Sequence, residues 1–182
     1  MRRSNAGLFW PVLVLVTAID FCTKAIAANR LQIQGLPHAV FGDWMRFTLV
    51  YNPGAAFGLH VGQHSRYIFM VLTIVALVIL GRLYHATRPG DSIRTFSLAL
   101  VCGGALGNLI DRITQTLGVV DFIDIGMGDS RWPTFNVADM AVSIGAFLLA
   151  WVLWGEDSEA DIVSVPTPTP TPATVSVESR EL

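Results

Sequence analysis

The 182-residue chain is 52% hydrophobic and only 14% charged, with a formal net charge of −2 and a mean hydropathy of +0.53. Soluble domains carry about 25% charged residues, so this is the composition of a membrane protein. The absence of a basic cluster excludes a nucleic-acid-binding surface and a polybasic lipid anchor. Cys22 and Cys102 both fall inside apolar runs without metal-type spacing, which argues against a disulfide framework or a zinc site.

Four apolar runs, at roughly residues 7–28, 66–84, 93–112 and 136–154, each approach the ~20 residues needed to cross ~30 Å of hydrocarbon. The first has Arg2 and Arg3 ahead of "LFWPVLVLVTAI" and "AIA" at 25–27, which imitates a cleaved secretory signal. Asp20 and Lys24 interrupt it, so it reads as a retained span. These two residues are i, i+4 and share one helix face. Their structural role is an ion pair at a helix end; their functional role is to brace a site.

A strand-like "MRFTLVY" at 45–51 runs into "YNPGAAFG" at 51–58. Pro53 and Gly54 occupy the second and third positions expected of a type II turn. The turn reads as a tight corner, and the backbone beside Gly54 and Gly58 also offers an edge to which an extended peptide can add as a strand. The second span has no ionisable group between Tyr67 and Leu80 and reads as scaffold.

The third span ends in "GGALGNLIDR" at 103–112. Gly103 and Gly107 form a GxxxG step that permits close helix approach, and Asn108, Asp111 and Arg112 follow at helical spacing. "GVVDFIDIG" at 118–126 comes next, with Asp121 between apolar neighbours whose burial raises a carboxyl pKa. The loop "IGMGDSRWP" (125–133), in which Gly126 and Gly128 supply mobility, or residues 60–65, are candidates for a lid. The fourth span opens on "FNVADM", which puts Asn136 and Asp139 at i, i+3.

The C-terminal stretch from residue 155 is acidic and contains a Pro-Thr repeat, which favours extended polyproline geometry. The domain reading is therefore a membrane domain over 1–154 and a disordered acidic Pro/Thr-rich tail over 155–182. Five arginines fall in the 20 residues of 1–6 and 81–94, against five spread over the 64 residues of 29–66 and 111–136. By the positive-inside rule the termini and tail are cytoplasmic. The intramembrane polar residues then gather near the outer leaflet, where such costly groups mark function.

The four histidines form no HExxH pattern, and no GxSxG occurs. Two carboxylates offer different chemistry. A close pair cannot both ionise, so one keeps a proton and polarises a carbonyl while the other activates water. By spacing, the partner of Asp139 is either Asp111 or Asp121. A proton- or ion-coupled membrane carrier is the alternative use of such residues, although the ionisable groups form no chain across the bilayer.

The order of Asp20 with Lys24, "YNPGAAFG", "GGALGNLIDR", "VVDFID" and "FNVAD" resembles the lipoprotein signal peptidase (signal peptidase II) family over about residues 8–154. The resemblance implies a membrane all-α bundle: four transmembrane helices, a small periplasmic β-structure between the first two, and a short helical segment over the site. It implies a cofactor-free, metal-free aspartyl endopeptidase of the bacterial inner membrane, with its site at the periplasmic face. The implied substrate is a prolipoprotein whose lipobox cysteine carries a diacylglyceryl group, and the implied inhibitor class is globomycin. The catalytic pair maps onto Asp121 and Asp139. Asp20, Lys24, Asn52, Gly54, Gly104, Asn108, Asp111, Arg112, Asn136 and Ala138 carry over as supporting or substrate-binding positions. Asp111 beside Arg112 is the better placed to stay ionised in a structural network, which also favours Asp121 as the partner of Asp139. A monomer among membrane lipid is expected, because one chain supplies the whole site.

Overall fold

The computed structural model describes residues 5–54 and 62–163. Its four long helices are α1 (Ala6–Leu31), α2 (Ser65–Ala86), α3 (Ser92–Thr114) and α4 (Val137–Val163), and all four are long and apolar enough to cross a membrane. Hydrocarbon offers backbone groups no partner, so each apolar run satisfies its own N–H and C=O groups as a helix. The expected spans are displaced by only a few residues at most ends. The exception is α4, which continues to Val163 instead of stopping at 154. Residues 156–163 contain neither proline nor glycine, so nothing stops the helix there. The helix thus runs into the first residues of the stretch read as a tail, and the Pro-Thr repeat lies outside the described residues.

Helix α3 is the hub, packing against α1, α2 and α4, whereas α2 joins the bundle mainly through α3. Small residues set these distances. A Cβ at Gly103 would lie 3.0 Å from the Leu13 carbonyl oxygen, and Thr17 Oγ1 donates to the Gly103 carbonyl at 3.0 Å. A Cβ at Gly107 would strike Asp20, and one at Gly104 would strike the Ala138 carbonyl. The GxxxG step thus faces α1, while Gly104 faces α4. Phe9, Leu98, Ala99 and Cys102 form a buried cluster, to which Tyr84 of α2 adds by stacking on Phe9. Leu77 and Leu80 of α2 pack against the same cluster, and only Ser65 of this helix is fully buried, as expected of a scaffold helix with a lipid-facing side.

A four-stranded antiparallel sheet caps one end of the bundle: β1 (Pro37–Phe41), β2 (Met45–Asn52), β3 (Val119–Met127) and β4 (Ser130–Arg131), in that order. The β-structure is not confined to the α1–α2 connection, because β3 and β4 come from between α3 and α4. Pairing of Val50 with Asp121 and of Asn52 with Val119 brings "YNPG" beside "VVD". Asp124 locks the sheet by accepting from Thr48 Oγ1 at 2.9 Å and from Arg131 Nε at 2.5 Å. The candidate lid 125–133 is largely this β3–β4 hairpin. Gly126 is required there for close approach, since its Cβ would meet Arg131 Cα at 2.6 Å. Of the other candidate lid, residues 60–61 lie outside the described residues, Gly62–His64 form one 3₁₀ turn, and Ser65 opens α2.

Candidate active site

The start of α4 carries four backbone N–H groups without intrahelical partners. Asn136 Oδ1 accepts from Asp139 N at 2.9 Å, and Asp139 Oδ2 accepts from Asn136 N at 3.2 Å. This is a reciprocal capping box with aspartate in the glutamate position, so the i, i+3 spacing of "FNVAD" has a local structural cause. A third N–H, that of Ala138, donates to Asp20 Oδ1 of α1 at 2.8 Å. A carboxylate is favoured there by the helix dipole. Ala138 is fully buried and faces Gly104, which leaves no room for a larger side chain at either position.

Lys24 organises the layer beneath. Its ammonium lies 2.8 Å from Asp20 Oδ2 and 3.0 Å from Asp111 Oδ2, and it donates to Asn108 Oδ1 at 2.8 Å. Two carboxylates and one amide oxygen surround the ammonium, which is how a lysine only 3% exposed is accommodated. Asn108, oriented by Lys24, donates its Nδ2 to Asp139 Oδ1 at 2.8 Å. Asp111 accepts from the backbone N–H of Val120 at 3.0 Å, fixing β3 one residue before Asp121. Its cationic partner is Lys24, not the neighbouring Arg112.

Asp121 is 2% exposed. Its Oδ1 accepts from Asn136 Nδ2 at 2.6 Å and its Oδ2 from Asn52 Nδ2 at 3.2 Å. The Asn52 amide is held the right way round because its Oδ1 accepts from Gly54 N at 3.0 Å. Gly54 has φ +120, the left-handed conformation that the turn requires of it. Burial first, and the neighbouring charge of Asp139 second, push the Asp121 carboxyl up to about 7, against the lowering effect of the Asn52 and Asn136 hydrogen bonds.

Asp121 and Asp139 line one cavity of about 290 Å³, together with Asn52, Gly54, Phe69, Arg112 and Ser143. Arg112 Nη1 donates to the Asn108 carbonyl at 3.2 Å, and its guanidinium lies 5.9 Å from the Phe69 ring centroid. The expected residues fall into two tiers around this cavity. Asp121, Asp139, Asn52, Gly54 and Arg112 line the cavity; Asp20, Lys24, Gly104, Asn108, Asp111, Asn136 and Ala138 position them. Asp111 belongs to the second tier.

Sequence reasoning missed Arg66, which donates to the Arg112 carbonyl at 2.6 Å and the Ile113 carbonyl at 3.1 Å and so caps the end of α3. It also missed Trp132 and Phe135 as cavity walls. A backbone-directed arginine leaves no pairing signal in sequence. Among the described residues, no three His, Cys, Asp or Glu side chains converge as a metal's ligands would. Every buried Asp or Lys among them lies toward the same end of the molecule, which does not suit the carrier reading.

A family model for signal peptidase (SPase) II matches residues 12–155. The chain belongs to the signal peptidase II family. It is 40% identical to the lipoprotein signal peptidase of Pelotomaculum thermopropionicum over 149 residues, covering 82% of this chain and 93% of that relative. It is 39% identical to that of Aquifex aeolicus over 150 residues, covering 81% and 86%. A solved bacterial membrane enzyme determined in meso at 2.3 Å superposes with a TM-score of 0.76 at 29% identity, over 87% of this chain and 94% of that one. The family makes this chain a peptidase, and its four spanning helices make it a multi-pass membrane protein.

Proposed function

We propose that this protein removes the signal peptide from diacylglyceryl-modified prolipoproteins, cutting before the lipidated cysteine by two-carboxylate activation of water. Family membership supports the prolipoprotein substrate. The observation that carries the mechanism is Asn136, which holds Asp121 through its amide and Asp139 through its backbone N–H at the wall of one cavity.

Asp121, with its carboxyl pushed up to about 7, is the group that keeps a proton and donates it to the scissile carbonyl oxygen. Asp139 takes a proton from water as the water oxygen bonds to the carbonyl carbon. The tetrahedral intermediate then collapses as the C–N bond breaks: the nitrogen receives the proton held by Asp139, and one hydroxyl of the intermediate returns its proton to Asp121 as the carboxylic acid product forms. No cofactor enters this balance. Arg112 and Asn52 fix the cavity wall against which the substrate backbone lies, and the edge beside Gly54 suits addition of the extended peptide as a strand.

The site belongs, in this reading, to the periplasmic face of a bacterial inner membrane, with cytoplasmic termini. A signal helix and a lipidated cysteine both partition into the bilayer, so the bond to be cut arrives laterally. One chain holds every named residue and acts as a monomer, and globomycin-type peptides are the expected inhibitor class.

The test is incubation of the purified protein in lipid with a synthetic diacylglyceryl prolipopeptide. Mass spectrometry is expected to find a free amine on the lipidated cysteine, insensitive to chelators and serine reagents. A cut elsewhere, or equal cutting of the unlipidated peptide, would contradict the reading.

A further inference from the structure

Beside the Asp121–Asp139 cavity lies a second hollow of about 360 Å³, between the β3–β4 hairpin and the outward face of α4. It shares Trp132, Phe135, Asp139 and Ser143 with the catalytic cavity. Its remaining wall is Ile125, Met140 and Ile144. Met140 and Ile144 are one helical turn apart and 44% and 51% exposed, so the hollow opens on a face that a membrane span turns to hydrocarbon. Asp139 is its one ionisable lining group, at the junction with the cavity. Phe147 and Trp151 continue the same exposed stripe along α4.

We propose that this hollow is the acyl subsite, taking one chain of the diacylglyceryl group, with Met140 and Ile144 as specificity-determining residues. The inference rests on the function proposed above. If the scissile carbonyl lies against Asp121 and Asp139, the lipidated cysteine supplies the departing amine. Its thioether-linked glyceryl esters are then tied to the reacting carbon through the N–Cα–Cβ–S–glyceryl linkage, which limits how far from the catalytic cavity they can lie. The chain must enter a space continuous with the catalytic cavity, apolar beyond its mouth, and open to the bilayer.

The neighbouring apolar hollow of about 320 Å³, walled by Ile26, Leu31, Phe47 and Phe122, contains neither carboxylate. Successive residues of a strand face opposite sides, so Phe122 turns that hollow away from Asp121. The larger hollow of about 650 Å³ beside Phe147, Trp151 and Trp154 lies farther along α4 and contains no carboxylate either. An acyl chain entering the subsite leaves hydrocarbon rather than water, so it gains little transfer free energy. The subsite selects by fit, and its signature is chain-length discrimination.

The experiment compares kcat/KM for a dihexadecanoyl and a dibutanoyl prolipopeptide in the same lipid. In Ile144→Trp, the long-to-short ratio is expected to fall roughly tenfold relative to the parent, as overpacking of a well-fitted site predicts. In Ile26→Trp, at the other hollow, the ratio stays at the parent value. A ratio moved by Ile26→Trp and not by Ile144→Trp would overturn the assignment. An independent measurement needs no groove variant: a substrate with a diazirine on an early acyl carbon, bound to Asp139→Asn, is expected to label Met140 or Ile144. Labelling confined to Ile26 or Leu31 would also overturn it. Failure of the parent to cut either substrate would overturn the proposed function, and this subsite with it. Cutting without the expected ratio change overturns the subsite alone.

Discussion

Asn136 donates its side-chain amide to Asp121 Oδ1 at 2.6 Å across the gap between α4 and β3. The same residue caps α4 through Asp139, so helix initiation and alignment of the two carboxylates are one structural event. Asn136→Ala removes both. Loss of the cap costs about 0.5–2 kcal/mol of stability, and misalignment of the pair lowers kcat by roughly 10²-fold or more. Thermal unfolding in lipid and single-turnover cleavage separate the two effects. An Asn136→Ala protein as stable as the parent and equally active would contradict the capping role.

The raised Asp121 carboxyl has a pH signature of definite sign. A carboxyl at 3.8 in the unfolded chain and about 7 in the fold binds an extra proton on folding between those values. Its contribution to stability therefore declines as pH rises from about 4 to about 7. Cleavage by the singly protonated pair falls over the same upper limb as Asp121 ionises. Asp121→Asn is expected to flatten the dependence of the unfolding temperature on pH between 5 and 8. An identical slope in parent and variant would refute the assignment of that proton.

Lys24 neutralises Asp20 and Asp111 in a buried layer. Lys24→Met leaves both carboxylates without a cation, a change of the kind that costs about 3–5 kcal/mol. Adding Asp111→Asn to that variant is expected to recover part of the loss. Denaturation of the single and double variants measures this; a double variant no more stable than Lys24→Met would contradict the layer described here.

Gly104→Ala places a methyl group against the Ala138 carbonyl, which is backbone and cannot swing aside. Separation of α3 from α4 displaces Asp139, so stability falls by roughly 1–3 kcal/mol together with activity. Gly7→Ala, where a Cβ would meet nothing within 4 Å, is the control. Equal behaviour of the two variants would be inconsistent with the packing at Gly104.

Much of this arrangement is readable in sequence because the bilayer imposes strong rules. About twenty apolar residues must be helical, and a charge inside them needs a partner, so Asp20 with Lys24 and Asn136 with Asp139 stand out by spacing alone. The sheet is less readable. β1 is a short, wholly exposed "PHAVF" whose strand character comes from pairing with β2. The union of β2 with β3 across two helices has no local signal.

The pairing of remote groups is also hidden. Asp20 reaches the Ala138 N–H 118 residues away, and Arg66 grips carbonyls rather than a side chain. Asp111 shows the limit most clearly. Its neighbour in sequence is Arg112, but the fold gives it to Lys24 and to the backbone of Val120.

The central claim is that Asp121 and Asp139 act together on water while Asp111 positions them. Its most direct measurement is the single-turnover cleavage rate of a diacylglyceryl prolipopeptide by Asp121→Asn, Asp139→Asn and Asp111→Asn, each verified as folded. The rate is expected to fall about 10³-fold or more in the first two and far less in the third. Parent-like cleavage by Asp121→Asn or Asp139→Asn, or loss in folded Asp111→Asn with retention in Asp121→Asn, would contradict the claim.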